Sequence, residues 1–176
     1  MTVVHCGADG KALALLPAPW NARTRVHEYG GLSYLPVPRA STRPRSAGGR
    51  PPRGHAIVFA NYADQRLYLA GTDAADAKGA AAPRPLTPDP AALSSGGLEA
   101  AALRFADFVL SPDRREVWCI QERHASGKVI RSIVAVPLDG SAADSADAIR
   151  QLAAGSDFFA FPTPSPDGSQ IGRAHV

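Results

Sequence analysis

The chain has 176 residues, 45% of them hydrophobic, which excludes a chain disordered by composition and allows one domain with a sizeable core. Its formal charge of +3 comes from one stretch, because residues 36–54 hold Arg39, Arg43, Arg45, Arg50 and Arg53 and no acid, while the rest carries more acids than bases. A basic loop in place of a basic face argues against a nucleic-acid partner, and no apolar run approaches the roughly 18 residues of a membrane span.

The 16 Pro and 16 Gly punctuate short apolar runs, a pattern of many strands and turns. Residues 11–16 read as the tail of an earlier unit. Residues 31–35 read as an inner strand, 56–60 (AIVFA) as a second and 66–70 (RLYLA) as a third, with the hairpin NYAD at 61–64 between them. Residues 85–87 would be the outer strand. Residues 36–54 and 72–82 read as exposed loop insertions. Residues 98–104 (LEAAALR) have helical propensity but are too short for an independent helix.

The pattern then recurs. Residues 103–110 read as an inner strand, and Ser111-Pro112-Asp113-Arg114 suits a type I turn, with Pro setting φ at its second position. Residues 116–122 alternate as a second strand, 125–128 (ASGK) form a Gly-containing hairpin loop, and the β-branched run 129–136 (VIRSIVAV) reads as a third strand. Residues 149–152 would be the outer strand, and 158–161 begin the next inner one. Ser111-Pro112-Asp113 recurs as Ser165-Pro166-Asp167, an offset of 54 residues. That is the length of one four-stranded propeller blade. The expected fold class is therefore all-β, a partial β-propeller of four-stranded antiparallel blades forming a truncated ring. Residues 1–30 would hold the end of an earlier blade and a polar corner. Residues 31–102 and 103–156 would each be a blade, and 157–170 would start the next.

The chain ends Ile171-Gly172-Arg173-Ala174-His175-Val176. These six residues match one reading frame of a common sequencing adapter, followed in that frame by a stop, and Gln170 fits the junction codon. The expectation is that 171–176 is an artefact and that the native sequence continues past Ser169. Cys6 and Cys119 lack C-x-x-C spacing and read as small buried residues. His5, His55 and His124 lack ligand spacing, so neither a metal nor a cofactor is expected. Trp20 and Trp118 read as packing residues between blades.

The segment Arg23-Thr24-Arg25-Val26-His27-Glu28-Tyr29-Gly30-Gly31 resembles a signature of the acylaminoacyl-peptidase and dipeptidyl-aminopeptidase branch of the prolyl oligopeptidase family. Further similar stretches follow in order at 58–61, 63–68, 85–88, 103–107, 157–159 and 165–168. The resemblance implies a serine peptidase whose catalytic residues lie in its own C-terminal α/β-hydrolase domain. No G-x-S-x-G nucleophile elbow occurs in this chain, so no catalytic residue is assigned here. It also implies a propeller that gates access of oligopeptides or N-blocked peptides to that domain. The two widely spaced cysteines make a reducing, cytoplasmic compartment the default unless a targeting segment lies upstream. Arg25, His27, Glu28 and Tyr29 are the candidates for lining the substrate path or contacting the hydrolase domain. The same four could instead form an ion-paired corner between strands. A non-enzymatic propeller that scaffolds protein contacts is the alternative function. Deletion of residues 40–50 is expected to leave resistance to limited proteolysis unchanged, and a clear loss of resistance would show that the insertion supports the fold.

Overall fold

The computed structural model describes residues 2–6, 10–28, 30–38, 55–71, 82–90, 102–125 and 127–174. Strands β1 (Val4–Cys6) and β2 (Ala12–Ala14) form a hairpin. A four-stranded sheet follows in the order β3 (Tyr34–Pro38), β4 (His55–Ala60), β5 (Leu67–Gly71) and β6 (Arg84–Pro85). A second has the order β7 (Ala102–Leu110), β8 (Glu116–Ala125), β9 (Lys128–Pro137) and β10 (Arg150–Ala154). Strands β11 (Ala160–Pro164) and β12 (Ile171–Ala174) make a final pair. All neighbours are antiparallel and consecutive in the chain. Two single-turn 3-10 segments, Ser141–Ala143 and Ala146–Ala148, lie between β9 and β10.

Alternation along the strands explains how the sheets stack. In β4, Ile57 and Phe59 face a core with Val3, Leu16 and Tyr68. Ala56, Val58 and Ala60 face the opposite core, with Phe105, Val117, Cys119, Val134 and Val136 from the second four-stranded sheet. In that sheet Ile120 and Ile133 turn the other way, into a third core with Val26 and Phe159. Successive side chains of a strand point to opposite faces, so strands covered on both faces need unbroken apolar runs such as AIVFA. Phe59, Phe105 and Phe159 are the largest fully buried side chains, one in each core, each stabilising by about 2–3 kcal/mol of transfer free energy.

The inner strands are joined by a carboxylate. Asp107 donates its backbone N–H to the Leu32 carbonyl (2.9 Å). Its Oδ1 accepts the Leu32 N–H (2.9 Å) and its Oδ2 the Phe161 N–H (3.2 Å). The side chain thus ties three successive inner segments. A β-bulge between Ala106 and Val109 turns Asp107 left-handed (φ 57°). The bulge repeats between Ala160 and Thr163, where Phe161 has φ 49°, at the same 54-residue offset as the two Ser-Pro-Asp turns. Gly31 is required beside it, because a Cβ there would stand 2.8 Å from Asp107 Oδ1. At the outer rim, Arg84 donates to the carbonyls of Asp139 (2.7 Å) and Leu138 (2.9 Å), linking the two four-stranded sheets a second time.

The repeat read from the sequence appears as antiparallel four-stranded sheets, with several shifted boundaries. The first inner strand is Tyr34–Pro38, not 31–35, so Pro36 and Pro38 pair with Ile57 and His55 and do not belong to an exposed loop. Proline is tolerated there because β3 is an edge strand and needs no donor on its open side. The outer strand shortens to Arg84–Pro85, although Leu86 N–H still bonds the Leu67 carbonyl and Thr87 Oγ1 accepts the Leu67 N–H. Strands β8 and β9 run to Ala125 and Lys128, because pairing continues through polar positions beyond the core. Residues 102–104 are strand, their helical propensity overridden by pairing with β8. Cys6 is exposed, contrary to its reading as a buried residue, because it shares the strand face of Val4, which is itself 48% exposed; Cys119 is buried. The terminal segment pairs Gly172 with Thr163 and Ile171 with Pro164, as a second strand would, because ladder hydrogen bonds need only backbone. The insertions at 39–54 and 72–81 lie outside the described residues.

Asp107→Ala removes the acceptors of the Leu32 and Phe161 N–H groups. It is expected to lower the unfolding free energy by about 2–3 kcal/mol, and Asp107→Asn by less, since an amide oxygen still accepts one bond and Asn tolerates φ > 0. Urea denaturation of the three proteins checks the order; equal stabilities would show that the carboxylate does not hold the strands.

Candidate functional site

The polar segment before β3 folds into a tight turn. Thr24 Oγ1 accepts the Val26 N–H (3.2 Å), Glu28 N–H bonds the Arg25 carbonyl (3.0 Å) and Gly30 N–H the Val26 carbonyl (2.9 Å). His27 (φ 57°) and Glu28 (φ 66°) are both left-handed, a conformation costing about 1–2 kcal/mol for each such residue. The surroundings hold them there. Val26 is fully buried beside Phe159. The His27 ring stacks on Phe158 at 4.1 Å between centroids. Its Nε2 lies 3.2 Å from the Phe159 carbonyl and its Nδ1 3.4 Å from Glu122 Oε1.

Beneath the turn lies Glu122, whose side chain is 1% exposed. It accepts the His27 backbone N–H (3.1 Å), Arg131 Nε (2.8 Å) and His124 Nε2 (3.1 Å). Arg131 also donates to the Asp157 carbonyl (2.7 Å). Burial alone would raise the Glu122 carboxyl; the His27 N–H, His124 and Arg131, with Arg131's charge, together hold it below the ordinary value. Arg104 closes the cluster from β7. It donates to the Arg25 carbonyl (2.9 Å) and to Glu28 Oε1 (2.6 Å) and stands 4.0 Å from Glu122 Oε2.

On its other side the turn meets the β4–β5 hairpin. Arg25 N–H bonds Gln65 Oε1 (2.8 Å), and Gln65 Nε2 donates to the Tyr62 carbonyl (2.9 Å). The Tyr62 ring carries two guanidinium groups, Arg25 at 4.4 Å and Arg23 at 5.1 Å from its centroid.

The expected site residues therefore separate. Arg25 and Glu28 lie at the surface, Glu28 with a side chain 77% exposed. His27 points inward, with a side chain 7% exposed. Tyr29 lies outside the described residues. Sequence reading missed Glu122, Arg104, Arg131 and Phe158, which hold the turn, and Arg23 and Tyr62, which flank it. One signal was available for Glu122: it occupies the same strand phase as the core residue Ile120, where an apolar side chain is expected. Among the described residues, no group of three or more His, Cys, Asp or Glu is placed to hold a metal, and no helix is long and apolar enough to cross a membrane.

Four-stranded antiparallel meanders, stacked face to face through shared cores and tied along their inner strands, define part of a β-propeller. Solved peptidase structures contain a counterpart of that part. The chain is 46% identical to a puromycin-hydrolysing peptidase from Mycobacterium tuberculosis, with a TM-score of 0.77 over 99% of this chain and 24% of that one. It is 42% identical to puromycin hydrolase (TM-score 0.76, with 99% and 24% covered). A point variant of puromycin hydrolase complexed with PGG gives 41% and 0.77, again over 99% and 24%. The chain thus spans about a quarter of the length of these peptidases, and identity at this level along nearly all of it marks homology to that stretch. No protein-family model and no curated protein matches the chain.

Glu122→Ala leaves Arg131 and the turn without their acceptor and is expected to cost about 3–5 kcal/mol. Because the Glu122 carboxyl lies below its ordinary value of 4.5 in the folded state, its contribution is present above that pH and is lost as pH falls through the folded-state value. Thermal melts from pH 7 to pH 3 should therefore fall less steeply for Glu122→Gln than for the native chain. Parallel curves would contradict the assignment.

Proposed function

We propose that the chain is the propeller portion of a serine peptidase of the prolyl oligopeptidase family, in its acylaminoacyl-peptidase and dipeptidyl-aminopeptidase branch. The observation that carries this reading is the 41–46% identity to puromycin-hydrolysing peptidases along 99% of the chain. Puromycin joins an amino acid to a nucleoside through an amide, so an enzyme that hydrolyses it cleaves an aminoacyl amide. The parent protein would use the same chemistry on short or N-blocked peptides, through an acyl-enzyme formed on a serine of a separate hydrolase domain. This portion would limit access to that domain and contribute polar contacts at its rim.

The turn at 24–28 suits that rim. Its backbone is fixed from below by Glu122 and Arg104, while the Glu28 carboxylate, held by Arg104 through Oε1, remains largely exposed. A fixed exposed carboxylate can receive a substrate amine or a donor of the hydrolase domain at low ordering cost.

A chimera tests this. Residues 2–169 replace the homologous stretch of the M. tuberculosis peptidase, and puromycin hydrolysis is followed together with thermal unfolding. The chimera should keep kcat/KM within about tenfold of the parent. Glu28→Gln in the chimera should raise KM for free-amine peptides by about fivefold with kcat unchanged. A chimera that unfolds cooperatively yet turns over no puromycin would overturn the reading.

A further inference from the structure

We propose that Arg23 and Arg25, held on the ring of Tyr62, form a binding site for the free carboxylate of a short peptide. The proposal rests on the peptidase reading only in its choice of a peptide as the carboxylate's carrier.

The two guanidinium groups share one ring, at 5.1 Å and 4.4 Å from its centroid, so their charges lie within roughly 10 Å, about one Debye length at ordinary ionic strength. Both residues are exposed. Neither guanidinium has an ion-pair partner among the described residues, whereas the other charges nearby are already engaged. Glu28 is bound by Arg104. Asp64 accepts from Asn61 Nδ2, the Arg66 N–H and the Tyr68 hydroxyl. Arg66 is held by the Thr87 carbonyl and Asp89. Two like charges this close repel each other, and a bound anion relieves the repulsion.

The site is also built in advance. Arg23 N–H bonds the carbonyls of Asn21 (2.9 Å) and Ala60 (3.0 Å). Arg25 is fixed through its N–H by Gln65 and through its carbonyl by Arg104 and the Glu28 N–H. Tyr62 is fixed through its N–H by the Asn21 carbonyl and through its own carbonyl by Gln65. Three anchored backbones cut the ordering cost of binding. The cation–π contacts orient the planar guanidinium groups, whose paired N–H donors match a carboxylate. The neighbouring exposed Glu28 opposes a ligand of high negative charge, which favours a single carboxylate over a phosphate or a nucleic-acid backbone.

The test titrates the full 176-residue chain with N-acetyl-trialanine, its C-terminal amide and inorganic phosphate, following arginine Nε–H and tyrosine ring signals by NMR. The free acid should bind at least about tenfold more tightly than the amide, more tightly than phosphate, and more weakly as salt rises. The double variant Arg23→Gln/Arg25→Gln should lose about tenfold or more, with its melting temperature unchanged because the lost groups are surface side chains. Arg114→Gln/Arg115→Gln, two exposed arginines of a distant turn, should bind as the native chain does. Equal binding of acid and amide would overturn the proposal, as would tighter binding of phosphate or undiminished binding by the Arg23/Arg25 variant. None of these outcomes bears on puromycin turnover by the chimera, so the two readings fail separately.

Discussion

A strand covered on both faces has no polar side to offer water, and this constraint organises the molecule. The middle strands of both four-stranded sheets obey it: Ile57 and Phe59 lie in one core while Val58 and Ala60 lie in the next, and Cys119 and Ile120 divide in the same way. No sheet here can be stable alone, because each would expose an apolar face. Neighbouring sheets are therefore obligatory, and polar chemistry gathers at the connections that cross between sheets and at the few strand carboxylates, Asp107 and Glu122, that bond the backbone of those connections.

The candidate site grows from that confinement. The segment at 21–28 runs past the β4–β5 hairpin of one sheet and sets Val26 into the core beyond the next. Crossing a blade end brings backbone groups away from any ladder, and each needs a partner. Glu122, Arg104 and Gln65 supply those partners from two different sheets. Arg25 and Glu28 stand outside because His27 and Val26 are drawn inside. Position at the surface is thus a result of packing, and the turn that carries the exposed charges is held by buried Glu122 and Gln65 and half-buried Arg104.

The repeat was legible in the sequence because strand alternation and Ser-Pro-Asp turns are local signals with known geometry. In both turns the serine carbonyl accepts from the residue three positions on, Arg114 N–H at 2.8 Å and Gly168 N–H at 2.9 Å. The boundaries of β3 were not legible, since two prolines argue against a strand unless its edge position is known. The dense polar segment drew notice to Arg25, His27 and Glu28, but their separation into two exposed residues and one buried one depends on Glu122, 95 residues away from His27. Contacts at that separation leave no local pattern. Cys6 was misjudged for a related reason: its burial depends on what covers the first hairpin, which composition does not report.

The bulged inner strands carry aspartate at 107 and phenylalanine at 161, one repeat later. Tandem repeats with similar strands can exchange partners during folding and assemble in the wrong order. A carboxylate that seeks two specific backbone donors in one repeat, replaced by an aromatic ring in the next, makes adjacent blades non-interchangeable. Asp107 thus distinguishes its own inner strand from the one that follows, since only there do the Leu32 and Phe161 N–H groups meet a carboxylate.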